Sequence, residues 1–189
     1  MSISRVYIVS VNILHSQGNR YLITIQILVQ RLSANYFSKH PPNIMEINPK
    51  APAIARHEIE IDASIDRIWQ LLTDVDRWTD WHPLISEAKL DGLFKVGTSF
   101  RWKSGGSEIV STLQEVEPQQ RITWTGKVFG IQAIHVWILE PQGDGALVRT
   151  EESFEGWIVS LLKGMMQKTL DTALQNWLAL LKTKAETGD

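Results

Sequence analysis

The sequence predicts an α+β fold in which a curved antiparallel sheet of about seven strands wraps around one long C-terminal helix. Three observations carry this expectation. Apolar and polar residues alternate, with the period of a strand, through much of residues 54 to 154. Turn signals such as Gly105-Gly106, Pro118-Gln119 and Asp144-Gly145 cut that stretch at short intervals, as hairpins require. Beyond it, apolar side chains recur three and four positions apart over residues 157 to 184, roughly seven helical turns.

The elements follow in order. His57, Ile59 and Ile61 share one face of the first strand, while Arg56, Glu58 and Glu60 share the other. Asp62-Ala63-Ser64 then offers an N-cap for a short helix carrying Ile65, Ile68, Trp69, Leu71 and Leu72. A second short helix carries Asp76, Arg77 and Trp78 and ends near Trp81-His82-Pro83, since a residue before proline resists the α region. Phe100 and Trp102 lie on one side of the next clear strand, and Ile109, Ser111 and Leu113 lie together on its return. Ile122, Trp124 and Gly126 share a face, as do Ala133, His135, Trp137 and Leu139. The closing helix carries Met165, Met166, Leu170, Leu174, Trp177 and Leu181 on its apolar stripe.

Two turns test the faces against one another. With Phe129-Gly130 as a turn, Trp124 lies opposite His135 and Ile122 opposite Trp137. With Asp144-Gly145 as a turn, Trp137 lies opposite Glu152, His135 opposite Phe154 and Glu140 opposite Arg149. Both hairpins assign Ile122, Trp124, His135, Trp137, Glu152 and Phe154 to one face, and a one-residue slip in either would scramble that set.

Residues 1–52 form an N-terminal extension to a domain at 53–186. The runs Val6 to Leu14 and Tyr21 to Leu32 flank a polar stretch and make a hairpin if both are strands, although the second also suits a short helix. Neither reaches the ~18 apolar residues that a membrane span needs. Pro41-Pro42 and Pro49-Lys50-Ala51-Pro52 have linker composition. Met45, just before the first strand, is an alternative start; otherwise the extension covers a sheet edge or the face of a homodimer.

The 189 residues contain no cysteine, which excludes disulfides, thiolate metal sites and a cysteine nucleophile and fits a reducing, cytoplasmic setting. Residues 1 to 50 sum to +4 and the remainder to −6. An acidic body offers phosphate backbones no footprint, so nucleic acid is not an expected partner. Eight tryptophans against three tyrosines call for large buried or pocket-lining surfaces.

Local motifs sharpen the picture. They are the run 61 to 83, from Ile61-Asp62-Ala63-Ser64 to Trp81-His82-Pro83, then Val96-Gly97-Thr98-Ser99-Phe100, Val116-Glu117-Pro118 with Ile122-Thr123-Trp124, and Ile134-His135-Val136-Trp137. Over about residues 54 to 184 the chain resembles the SRPBCC superfamily, which includes START lipid-transfer domains, and within it the polyketide cyclase/dehydrase-like group. The resemblance implies a helix-grip fold with a cavity between sheet and last helix for a small hydrophobic molecule. It transfers no catalytic motif by position.

The candidate acid/base pair is His135 and Glu152, because a carboxyl among aromatic rings has a raised pKa and exchanges protons near neutrality. The duller reading makes His135 a satisfied core residue and binds Glu152 to a backbone N–H. The expected ligand-lining residues are His57, Phe100, Trp102, Leu113, Trp124, Trp137, Phe154, Met165, Met166 and Trp177, each of which could instead be plain core. His57, His135 and Glu152 lack the spacing of a metal site, and no cofactor is called for. Three functions stay open: a carrier or sequestering protein for an aromatic, polyketide-like or lipid-like molecule; a cofactor-independent cyclase, aromatase or dehydratase; and an interaction module acting through the N-terminal segment.

Overall fold

A computed structural model describes residues 44–187, so the expected N-terminal hairpin lies outside the described residues. Strand β1 (Ala53–Ile61) leads into helix α1 (Ile65–Thr73) and a 3₁₀ helix (Val75–Asp80). Strands β2 (Ile85–Leu90), β3 (Ser99–Ser104), β4 (Ser107–Glu117), β5 (Arg121–Val128), β6 (Ile131–Gln142) and β7 (Gly145–Glu155) follow, then helices α2 (Trp157–Leu161) and α3 (Lys163–Thr187). The seven strands form one antiparallel sheet in the order β1-β7-β6-β5-β4-β3-β2. The α+β sheet-and-helix architecture is therefore the one expected. Among the described residues no helix is long and apolar enough to cross a membrane.

Local chemistry explains the element ends. Ser64 caps α1, its Oγ accepting from the Arg67 N–H at 3.3 Å. Strand β4 bulges between Leu113 and Glu115, which returns Val116 to the face that holds Leu113 and sends Glu115 to the other. There Glu115 accepts from Arg121 Nε at 2.9 Å and from the Thr123 hydroxyl at 3.1 Å, so a nearly buried carboxylate is doubly satisfied.

The β5–β6 register is the expected one, with Trp124 opposite His135 and Ile122 opposite Trp137. The β6–β7 register differs by two residues. His135 faces Glu152, Trp137 faces Thr150 and Ala133 faces Phe154, because the two turn residues are Gly143-Asp144 rather than Asp144-Gly145. Gly143 takes φ +59°, the left-handed conformation that glycine enters without cost. A two-residue slip keeps every side chain on its face, so only the neighbours change. Glu140 still reaches Arg149 diagonally, at 2.8 Å.

The closing helix is also not continuous. Leu162 (φ −115°, ψ 34°) breaks it into α2 and α3. Helix α3 lies mainly on β1, an edge strand, and ties off its free backbone. The Gln167 amide accepts from Ile54 N–H at 3.0 Å and donates to Ile54 C=O at 2.7 Å, while Lys182 donates to Glu60 C=O at 2.7 Å.

The core is built around Trp177 of α3. Its indole meets Trp78 edge-on at 5.1 Å between ring centroids, Trp81 at 5.5 Å, Trp137 at 5.9 Å and Trp102 at 6.1 Å, and His82 leans on it at 4.3 Å. Edge-to-face pairs of this kind stabilise beyond their buried area. Trp177→Ala empties this cage and should lower the unfolding free energy by about 3–5 kcal/mol in urea titration, the range for a buried large-to-small change.

Candidate functional site

On the concave face the side chains line up in rows across the sheet. One row contains Leu113, Trp124, His135, Glu152 and Ala55. The row beside it toward the Phe129-Gly130 turn contains Phe100, Ser111, Gly126, Ala133, Phe154 and Ala53. The row on the other side contains Val116, Ile122, Trp137, Thr150 and His57. Strand pairing alone therefore brings His135 and Glu152 side by side, although the turn assignment from sequence set them one pair apart.

Ser111, Gly126 and Ala133 form a floor of small side chains on this face, Ser111 and Gly126 buried and Ala133 half-buried, and half-buried Trp102, Ile109, Phe154 and Met166 stand around it. Trp102 is fixed there by its indole N–H, which donates to Ser111 Oγ at 3.1 Å. Toward the other end, the Trp177 cage fills the space between sheet and helix, so any cavity along α3 is closed there by rings. A separate groove of about 580 Å³ lies at the β2–β3 edge, lined by Thr79, Ala88, Trp102 and flanking charged side chains.

The electrostatics of the polar pair follow from burial. His135 is almost wholly enclosed, stacked on Trp137 at 5.3 Å and tilted against Trp124 at 4.7 Å, and burial holds its pKa down to about 3. The Glu152 side chain keeps 12% of its exposure, yet desolvation pushes its carboxyl up to about 8. The two are a neutral acid beside a neutral imidazole at pH 7 and not an ion pair. His135 Nδ1 lies 3.5 Å from Glu152 Oε2, too long for a strong hydrogen bond, whereas His135 Nε2 meets Thr150 Oγ1 at 2.7 Å. Thr150 thus fixes the ring, and the Glu152 O–H is left available to a third group.

The other sequence candidates divide. Phe100, Leu113, Trp124 and Trp137 are fully buried in the concave core, and Trp177 closes it from the helix. His57 is engaged by Asp171 of α3, Nε2 to Oδ1 at 3.3 Å. Met166 packs with Ala53, Ala55 and Leu170, but Met165 is 56% exposed beside the helix break and lies off this wall. Sequence reasoning passed over Thr150 and the Ser111–Gly126–Ala133 floor. Thr150 became the partner of His135 only through the two-residue register change, and a row of small residues has no signal until strands are paired.

His82 carries a different message. It is buried with both ring nitrogens unpartnered, as is the Trp137 indole N–H, and burial lowers its pKa to about 4. Unpaired buried polar atoms cost stability.

Comparison with known proteins places this geometry. Residues 52–186 match the family model described as "Polyketide cyclase / dehydrase and lipid transport". A hypothetical protein of Helicobacter pylori (jhp0584) superposes with TM-score 0.65 at 18% identity, covering 76% of this chain and 98% of that one. A START superfamily protein of Mycobacterium smegmatis gives TM-score 0.58 at 15% identity, covering 71% and 97%. DynU16, from the dynemicin biosynthetic locus, gives 0.59 at 21% identity, covering 72% of this chain and 48% of that one. At these identities the likeness is one of fold. Among curated proteins no sequence matches the chain.

Two measurements follow. His82→Phe removes two orphaned nitrogens at similar volume and should raise the melting temperature by about 3 °C. Stability should also peak near pH 6.5. Below that, His135 and His82 bind protons in the unfolded chain and not in the folded one, so their contribution is lost as pH falls. Above it, folded Glu152 keeps a proton that the unfolded chain has released, so stability falls as pH rises toward 8. Urea midpoints across pH should lose the alkaline decline in Glu152→Gln.

Proposed function

The chain belongs to the polyketide cyclase/dehydrase and lipid transport family, and on that premise we propose that it binds a small hydrophobic molecule against the concave wall, holding one polar atom of the ligand on Glu152. The observation that carries this reading is the largely buried Glu152 carboxyl, 3.5 Å from His135 and with no strong partner of its own, which burial pushes up to about 8. Such a group donates one hydrogen bond without presenting charge, which suits a carbonyl or hydroxyl on a flat apolar body. Half-buried Trp102, Phe154 and Met166 supply apolar sides for that body.

One feature of the pair favours a second, catalytic reading. A neutral acid and a neutral base stand at the same place, as a dehydration requires. Glu152 would give its proton to a departing hydroxyl, which leaves as water, while a base such as His135 takes the proton from the adjacent carbon and the new double bond forms between.

The naphthyl ketone prodan, which accepts hydrogen bonds and donates none, tests the binding reading by fluorescence titration. Affinity should fall as pH rises through about 8, where Glu152 ionises. Glu152→Gln keeps a donor and should bind with no such pH dependence, whereas Glu152→Ala should weaken binding by about tenfold. Binding that ignores both substitutions would refute the role of Glu152. For the catalytic reading, dehydration of an aryl β-hydroxyketone should be lost in Glu152→Gln while prodan affinity is retained.

A further inference from the structure

The break at Leu162 has a consequence on the outside of the protein. Trp157 and Leu161 lie four residues apart on α2, and Met165 follows just past the break at the start of α3. All three point outward: Trp157 is 62% exposed, Leu161 72% and Met165 56%, with Leu162 beside them. The tip of the β5–β6 hairpin joins them. Phe129 is 81% exposed and meets Trp157 edge-on, 6.2 Å between ring centroids. Five large exposed apolar side chains thus come from two segments that meet at the Phe129–Trp157 contact, unlike the single exposed apolar residues that any protein shows.

This surface is held rigidly. Gly130, at φ +70°, packs so closely on α2 that a Cβ there would come 2.7 Å from Ile158 Cδ1 and 2.9 Å from Trp157 Nε1. Gly156, at φ +124°, lies against the Gly130 carbonyl, where a Cβ would fall 2.0 Å from the oxygen. The hairpin tip and the start of α2 are therefore docked on each other, and Phe129 and Trp157 project from a fixed base. The full burial of Val159 on α2 completes that base.

The charge around the surface identifies its occupant. The chain from residue 51 onward is net acidic, but exposed Lys127, Lys163 and Lys168 lie close in sequence to these apolar residues. Glu155 is the acid in the same segments. An aromatic and aliphatic face rimmed by lysines is the composition of a surface that settles into the headgroup region of an anionic bilayer. A protein partner matched to five rigid apolar groups would need no local reversal of charge. We propose that this face docks the protein peripherally on a membrane containing anionic phospholipid, with Phe129 and Trp157 inserted and the lysines at headgroup level. Beneath the face lies the small core cluster of Val159 with Ile131, Phe154 and Met166; the docking itself does not depend on what the concave wall binds.

Sedimentation of the full chain with vesicles tests the proposal. Binding should be strong to phosphatidylcholine mixed with phosphatidylglycerol and weak to phosphatidylcholine alone. Phe129→Ser with Trp157→Ser should cut partitioning at least tenfold, about the effect of exposing two aromatic rings to water. Lys127→Glu with Lys163→Glu should abolish the preference for the anionic vesicles, as should high salt. Both pairs lie on exposed positions, and an unchanged melting temperature shows that they fold; Leu161→Ser provides an independent third variant. Failure to sediment with either vesicle overturns the proposal. So does a dimer in sizing chromatography that Phe129→Ser dissociates, which would assign the face to a second copy of the chain. Prodan binding in the absence of vesicles is read separately, so loss of one result leaves the other standing.

Discussion

A carboxyl group withdrawn from water must either find a cation or keep its proton, and Glu152 keeps its proton. The nearest cationic candidate is His135, but it is buried as well, and that burial holds the imidazole neutral. Their arrangement is a product of the sheet. Strand pairing sets Trp124, His135 and Glu152 in one row, and Thr150 in the next row fixes the imidazole. The site's polarity is thus a donor without charge, the form of polar group an apolar interior tolerates.

The rest of the molecule holds that wall in place. Trp177 inserts from the closing helix into a cage of rings at one end, and Gln167 and Lys182 bond the helix to the backbone of edge strand β1. The rings of the cage fill one end of the concave face, whereas the small residues Ser111, Gly126 and Ala133 lie toward the other, with Glu152 between. The unpaired nitrogens of His82 and Trp137 sit in the ring-filled end and lower its stability.

Much of this was legible in the sequence because it rests on period and spacing. Alternation placed Trp124, His135, Trp137 and Glu152 on one face, and the Phe129-Gly130 turn fixed one register without error. Asp144-Gly145 misled the other register, since Gly143 next to it can also supply the turn, and a two-residue slip leaves the hydrophobic pattern unchanged. Faces are therefore readable where neighbours are not, and the contact between His135 and Glu152 belonged to the second kind. The helix break at Leu162 was equally hidden. An apolar stripe continues through it in sequence, so Met165 read as wall although the change of direction turns it outward.

The protonation state of Glu152 is the quantity on which the account turns. Carboxyl-carbon NMR of protein labelled at glutamate, with Glu152→Gln to assign the signal, measures it directly. A titration midpoint near 8, well above the ordinary value of 4.5, is the predicted result. A midpoint in the ordinary carboxylate range would mean that Glu152 is charged at neutral pH, and the uncharged donor would have to be abandoned.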